Sequence, residues 1–471
     1  MTSGEAERLA DIHRQLFTLA MDWAGRKAID ADRARELRQE AILLNHRHYL
    51  DNIPAYQKLA QVSGVGDIRD IDLIKKELMS TDDIFKSYSQ DWLDKNDFSR
   101  MNNWLGSIYH QRIDVPVEGV KRIDEWIKRL SAKGIFPVFS SGTTGAFSFV
   151  PRNARNWDLL TLYPISYLTP HLIDKKAGSV WLRWAAVLLS RVLPLDSFLR
   201  AVKAVGLRHY DGILLGFRRG NMGIQIVGQI ASTLVRRPYF LFETEVKPDA
   251  IRLISRGPKT EEDHKLLRAF RDETIGRKEE NYQRIISQMV NSTRQGQRVL
   301  LFGAPFQVKE LCDMVSHGPK HLSLRKGSSV LFGGGWKTFA GERIEREALI
   351  SMISETFQVP PGLIIEGYSM TEINAVLIRC DKGRFHLPPF MEPVIFNEEL
   401  LPVKGKDVRG AFGFLDPFAV SYPGFIISGD NVRMVDGECA CGLSAPAILE
   451  VARAPGREVK GCGGIMASVQ A

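Results

Sequence analysis

The chain has 471 residues, of which 44% are hydrophobic and 25% charged, and carries a formal net charge of +8. That length and apolar content can bury a sizeable core in two or three compact units, so a soluble globular protein is expected. The lack of a long apolar run and a polar N-terminus argue against a membrane span and an export signal, which makes the cytoplasm the expected location, and the modest positive potential suits anionic ligands such as nucleotides without identifying one.

In chain order, residues 5–60 read as helical. Leu9, Ile12, Leu16, Leu19, Ala20 and Trp23 recur at three- and four-residue spacing, and a second periodic run covers 37–50. Asn52-Ile53-Pro54-Ala55 closes one helix and opens the next, because proline disfavours helix before it and suits a first turn. Ser80-Thr81-Asp82-Asp83 reads as the cap of another short helix. From Gly134 the texture changes to apolar runs punctuated by glycine, at 135–140, 299–302, 330–332 and 362–365, which suggests buried strands of an α/β core. The division expected is a mainly helical region over 1–130 and an α/β core over 131–471. Between 181 and 239 basic residues outnumber acids, which fits either a peripheral membrane or acyl-carrier contact or, more blandly, buried helices with solvated basic edges. No zinc-finger spacing, RNA-recognition signature or long block of like charge is present, so no nucleic-acid partner is expected.

Three stretches carry chemistry. Ser140-Ser141-Gly142-Thr143-Thr144-Gly145 follows a strand, and its N–H and O–H groups can surround phosphate oxygens, although such a loop is also an ordinary turn. Gly333-Gly334-Gly335-Trp336-Lys337 offers bare backbone for a flat ligand and a mobile cation, or simply a tight turn with a surface lysine. Tyr368-Ser369-Met370-Thr371-Glu372 supplies an aromatic face, a hydroxyl and a carboxylate able to hold magnesium on phosphate oxygens, or merely a capped helix start. Farther on, Asp430 in Ser428-Gly429-Asp430 could accept two hydroxyl hydrogen bonds, while Gly-Asp is also common in turns.

These stretches in this order resemble the ANL superfamily of adenylate-forming enzymes. The resemblance implies its large-domain α/β fold with a helical N-terminal region, ATP and Mg2+ as cofactors, Ser140 to Gly145 on the phosphates, Gly333, Gly334, Gly335 and Tyr368 at the adenine, Thr371 and Glu372 at phosphate and metal, and Asp430 on the ribose. Gly333-Gly334-Gly335-Trp336-Lys337-Thr338, Phe385-His386-Leu387-Pro388-Pro389, Ser421-Tyr422-Pro423-Gly424-Phe425-Ile426 and Arg457-Glu458-Val459-Lys460-Gly461-Cys462 look more specifically like LuxE-type acyl-protein synthetases. Residues 46–88 and Cys439-Ala440-Cys441-Gly442 resemble phenylacetate–CoA ligases, which keeps a CoA-ligase reading open.

The LuxE resemblance implies a large domain without the usual mobile C-terminal domain, and a tail cysteine, Cys462, as acyl acceptor. Flanking glycines permit a swinging arm and nearby Arg457 and Lys460 favour a thiolate, whereas a free cysteine is otherwise most often a small buried hydrophobe. Lys337, or His386 as a neutral donor, is the expected stand-in for the lysine that the mobile domain would supply. The five cysteines, Cys312, Cys380, Cys439, Cys441 and Cys462, read as reduced thiols. Cys439 and Cys441 form a pair too weak in spacing to signal zinc and read as a turn. The expected activity is activation of a carboxylic acid, by resemblance a fatty acid, as acyl-AMP, then thioester formation on Cys462 for delivery to an acyl reductase or other acceptor. One alternative sends the acyl group to CoA or to the amine or hydroxyl of a small molecule; another is a non-catalytic binding protein that keeps the fold.

Overall fold

The computed structural model describes residues 1–141, 146–160, 209–318, 322–336, 343–444 and 446–454. Gly142, Thr143, Thr144, Gly145, Lys337, Cys462 and the 181–208 part of the basic stretch lie outside the described residues.

The chain begins with a helical hairpin. Helix α1 (Ser3–Ala24) starts from a capping box, in which Thr2 takes the Glu5 N–H and Glu5 reaches back to the Thr2 N–H. Its apolar stripe of Leu9, Ile12, Leu16 and Ala20 is buried. Helix α2 (Ala31–Asn52) is capped by Asp30, and α3 (Pro54–Val62) opens with proline in its first turn, so the break read at Asn52-Ile53-Pro54 lies where expected.

The Ser80 cap is different. Ser80–Thr81 form a two-residue strand, β1, paired in parallel with a later strand through Ser80↔Ile426 and Thr81↔Ile427, and a 3-10 turn over Asp82–Lys86 follows. The Thr81 side chain makes no cap bond. Pairing to a distant strand, which a local sequence reading does not register, takes up this backbone instead.

The remaining strands are β2 (Ile135–Ser141), β3 (Phe147–Asn153), β4 (Tyr210–Arg219), β5 (Arg237–Glu245), β6 (Arg298–Gly303), β7 (Ser329–Gly333), β8 (Ile364–Tyr368), β9 (Leu377–Arg379) and β10 (Phe385–His386). They are followed by β11 (Glu392–Phe396), β12 (Pro402–Val403), β13 (Asp407–Leu415), β14 (Phe425–Val435) and β15 (Ala447–Arg453). One large sheet runs β12-β11-β13-β14-β15-β10-β9-β8-β7-β6-β4-β5. Its β5-β4-β6-β7-β8 part is parallel, built from the apolar runs read at 299–302, 330–332 and 362–365. From β9 onward pairing is antiparallel except for the parallel β1–β14 pair. The run at 135–140 is a strand, but it pairs with β3 in a separate two-stranded sheet rather than in the main one.

The N-terminal hairpin rests on the antiparallel half. His13 Nε2 and Asn45 Nδ2 both meet the Pro417 carbonyl at 2.8 Å, and Tyr49 donates to the Ala419 carbonyl. Arg38 donates to the Glu392 carboxylate at 2.6 Å and to the Pro389 carbonyl at 2.7 Å. Among the described residues no helix is long and apolar enough to cross a membrane.

Candidate functional site

Parallel strands bind ligands beyond their carboxyl ends, where the loops leave the sheet. β7 and β8 end side by side, with Gly333 opposite Gly367. A Cβ on Gly333 would stand 2.6 Å from the Gly367 carbonyl oxygen, so two bare backbones press together there. Gly334 (φ 88°) and Gly335 (φ 66°) then turn the chain through the left-handed region that glycine enters at no steric cost.

β8 ends at Tyr368, whose hydroxyl donates to Asp430 Oδ2 at 2.8 Å. Burial and the adjoining carboxylate hold the Tyr368 hydroxyl protonated, well above its ordinary pKa, so it remains a donor. Asp430 lies on β14, four steps from β8 in the sheet order, and strands about 4.8 Å apart in a flat sheet would separate them by more than these side chains reach. The sheet therefore curls here. The other carboxylate oxygen, Oδ1, accepts from Arg453 Nη1 at 2.6 Å, and a carboxylate oxygen has lone-pair capacity for a further donor beside each of these.

After β8, Ser369 Oγ donates to the Ala375 carbonyl at 2.7 Å and closes a short loop. Inside it Thr371 and Glu372 are buried, with Thr371 Oγ1 donating to Glu372 Oε2 at 2.8 Å. A buried polar lattice fixes this loop. Arg152, wholly buried at the end of β3, donates through Nη2 to the Thr371 carbonyl at 2.7 Å and to the Tyr422 hydroxyl at 3.0 Å, and its guanidinium lies 4.8 Å from the Tyr422 ring centroid. Tyr422 in turn donates to the Glu372 carbonyl. Asn374 donates through N and Nδ2 to Asp416 Oδ2, at 2.8 and 2.9 Å. Burial pushes the Asp416 carboxyl up, while these donors and Arg152 act against that shift.

Of the residues singled out from sequence, the structure thus brings together Tyr368 and Asp430 and pairs Thr371 with Glu372 on the loop after β8. Ser140 is buried on β2 opposite Ser148 of β3. His386 is gathered with three cysteines. Its Nε2 is 3.3 Å from Cys441 Sγ, Cys380 and Cys439 bring their sulfurs to 3.9 Å, and the donor atoms of all four residues lie within 4.8 Å of one another. Burial, with Arg384 and Arg26 nearby, pushes the His386 imidazole down to about 4, so it is neutral near pH 7.

Sequence reasoning missed Arg152, Asn374 and Asp416 and gave Tyr422 no role beyond its place in a LuxE-like stretch; their contacts join residues from 42 to 270 positions apart. It also missed the gathering of Cys380 and His386 with the Cys439–Cys441 pair. A signal existed in Cys-x-x-Gly, which occurs at both Cys380 and Cys439, with a histidine after the first.

The family described as acyl-protein synthetase, LuxE, matches residues 274–470. This part of the chain is LuxE-like. It contains the triple glycine, Tyr368, Thr371, Glu372, His386, Asp430 and Cys462, and begins after the serine-threonine-glycine loop. The chain is 22% identical over 192 residues to the long-chain-fatty-acid–luciferin-component ligase of Vibrio harveyi, which covers 40% of this chain and 50% of the relative. With the ligase of the same name from Aliivibrio fischeri it shares 23% over 160 residues, 33% of this chain and 42% of the relative. The chain thus spans half or less of the length of these curated relatives. The fold matches an open conformation of 2-hydroxyisobutyryl-CoA ligase, solved with 2-HIB-AMP and CoA, at a TM-score of 0.52 and 10% identity over 90% of this chain and 70% of that one. The fold expected from the sequence, N-terminal helices on a large mixed α/β core like that of this adenylate-bound ligase, is thereby found.

Proposed function

We propose that this protein is an ATP-dependent ligase that activates a carboxylic acid as its acyl-adenylate and then carries the acyl group as a thioester on Cys462. The observation that supports this most is the Tyr368–Asp430 pair standing beyond the carboxyl end of β8, on the same strand end as the Thr371–Glu372 loop. Asp430 is held by Tyr368 and Arg453, so its remaining lone pairs are pre-aimed at two neighbouring hydroxyls such as those of a ribose. The glycine floor at Gly333 to Gly335 lets a flat base lie against backbone. Thr371 and Glu372 present a hydroxyl and a carboxylate, the hard oxygen donors that magnesium prefers, and magnesium would supply neutralisation of phosphate charge.

The substrate carboxylate attacks the α-phosphorus, a new P–O bond forms, and the bond to pyrophosphate breaks. Positioning and charge neutralisation provide most of the rate, with the Ser140 to Gly145 loop on the phosphates and Lys337 steadying the developing charge. The Cys462 thiolate then attacks the acyl carbonyl and expels AMP. The names of the curated relatives favour a long-chain fatty acid as substrate and a further acyl acceptor, such as a reductase, as partner.

Intact-protein mass spectrometry after incubation with ATP, magnesium and a panel of fatty and aromatic acids tests this reading. One acyl group should add to the wild type and not to Cys462→Ala. ATP turnover with no acylated protein would instead place the acceptor in solution, as CoA or a small amine or alcohol.

A further inference from the structure

The Cys380, His386, Cys439 and Cys441 cluster lies outside the adenylation site, and we propose that these four side chains hold a structural zinc ion. Three sulfurs and one imidazole nitrogen are a recognised donor set for four-coordinate zinc. The spacing fits as well. With Zn–S near 2.3 Å and Zn–N near 2.0 Å, tetrahedral angles put sulfur atoms about 3.8 Å apart and a nitrogen about 3.6 Å from a sulfur. Two of the six observed separations are 3.9 Å for Cys380–Cys439 and 3.3 Å for His386–Cys441, and the others lie within 4.8 Å, so closing the four atoms onto an ion asks for a contraction of at most about 1 Å.

Two turns of the same kind deliver the ligands. Cys380 is followed three residues later by Gly383 (φ 76°), whose N–H donates to the Cys380 carbonyl at 2.9 Å. Cys439 is followed three residues later by Gly442 (φ 86°), whose N–H donates to the Cys439 carbonyl at 2.8 Å. The first turn joins β9 to β10 and the second joins β14 to β15, so the two arrive from separate hairpins and converge on one point.

Other uses of the cluster explain less. A Cys380–Cys439 disulfide would need sulfurs near 2.05 Å and would strand the third thiol against the histidine. Simple apolar packing accounts for buried thiols, but not for an imidazole turned so that Nε2 faces sulfur. All four residues are buried, which leaves no open coordination position and makes the site structural rather than catalytic.

Binding zinc releases three thiol protons and leaves the ion with its three thiolates at a net charge of −1. Two cations suit that charge. Arg384 and Arg26 act electrostatically on His386, and a Cβ on Gly442 would meet Arg26 Nη1 at 3.7 Å. The ion would fasten β10, a strand of only two residues, to the β14–β15 connection. It would thereby fix the spacing of β9, which pairs with the Tyr368 end of β8, against β14, which bears Asp430.

The test is the metal content of the full-length protein, measured by plasma mass spectrometry after zinc saturation and desalting, with cobalt(II) substitution as a second readout. About one zinc per chain is expected, together with thiolate-to-cobalt charge transfer and the intense visible bands of tetrahedral cobalt. Cys441→Ser should lower retained zinc and change the cobalt spectrum, while Cys312→Ser, which alters a buried thiol outside the cluster, should do neither. If Cys441→Ser does not fold, the wild-type zinc content and cobalt spectrum still decide. Wild type that retains far less than one zinc per chain, shows only the weak bands of octahedral cobalt, or contains iron and sulfide in place of zinc overturns the proposal.

Discussion

Tyr368 and Asp430, the two residues that the sequence reading assigns to the base and the ribose of a nucleotide, meet in the fold through a hydrogen bond of 2.8 Å. The Tyr368 hydroxyl is a hydrogen bond to a carboxylate, a class that contributes about 1.5–3 kcal/mol. Tyr368→Phe keeps the ring and removes only that bond, leaving Arg453 to orient Asp430 alone. ATP affinity measured by calorimetry is expected to fall roughly tenfold, and because the bond is also made in the unliganded fold the denaturation midpoint should fall with it. Unaltered ATP affinity would remove Tyr368 from the site. The motif Tyr-x-x-Thr-Glu was legible because its residues are neighbours in sequence. Arg152 was not, since nothing local marks an arginine at a strand end as the buried partner of a carbonyl 219 positions away.

At the level of elements, the apolar runs that became β6, β7 and β8 were readable because parallel strands are buried on both faces and therefore continuously apolar. The strands from β9 to β15 were not, for a physical reason. Several are two or three residues long, such as β9, β10 and β12, and too short to show any period, so only pairing defines them. The same dependence on pairing made β1 look like a helix cap. At the ends of β7 and β8, pairing also dictates residue type. Gly333→Ala would put a methyl 2.6 Å from the Gly367 carbonyl, a backbone atom that cannot swing aside, so the strand ends must part. Overpacking of this kind costs about 1–3 kcal/mol. Gly335→Ala meets no atom within 4 Å and bears only the strain of φ 66°, about 1–2 kcal/mol. Urea denaturation of the two variants should therefore both show losses, but ATP affinity should drop more in Gly333→Ala, where the floor itself moves. Equal ATP affinities in the two would mean that the strand ends are not part of the nucleotide site.

Across the whole molecule, the N-terminal helices and the C-terminal half of the sheet meet through buried polar contacts, and these make stability depend on pH. His13 is wholly buried between α1 and the β13–β14 connection, accepting from Arg155 at Nδ1 and therefore donating from Nε2 to the Pro417 carbonyl. Burial, with Arg155 beside it, pushes its pKa well below 6.5. Burial likewise lowers His46 and His48, and pushes His110 down to about 4. In each case the unfolded chain takes up a proton that the folded chain refuses, so this stability is fully present above about pH 6.5 and is lost as pH falls toward the folded pKa values. For His110 the shift corresponds to roughly 3 kcal/mol. Asp249 acts in the opposite sense, since burial and Asp124 push its carboxyl up to about 6, which makes the fold gain roughly 3 kcal/mol as pH falls through the same window. These two offset one another, Asp416 adds to the Asp249 side, and the three histidines His13, His46 and His48 set against it decide the sign. The unfolding free energy from urea titrations is expected to fall between pH 7 and pH 5, and His110→Gln should make that fall shallower while Asp249→Asn makes it steeper. A wild-type protein equally stable at both pH values would mean that these histidines are charged in the fold, and that the helices sit on the sheet without the neutral His13 bridge.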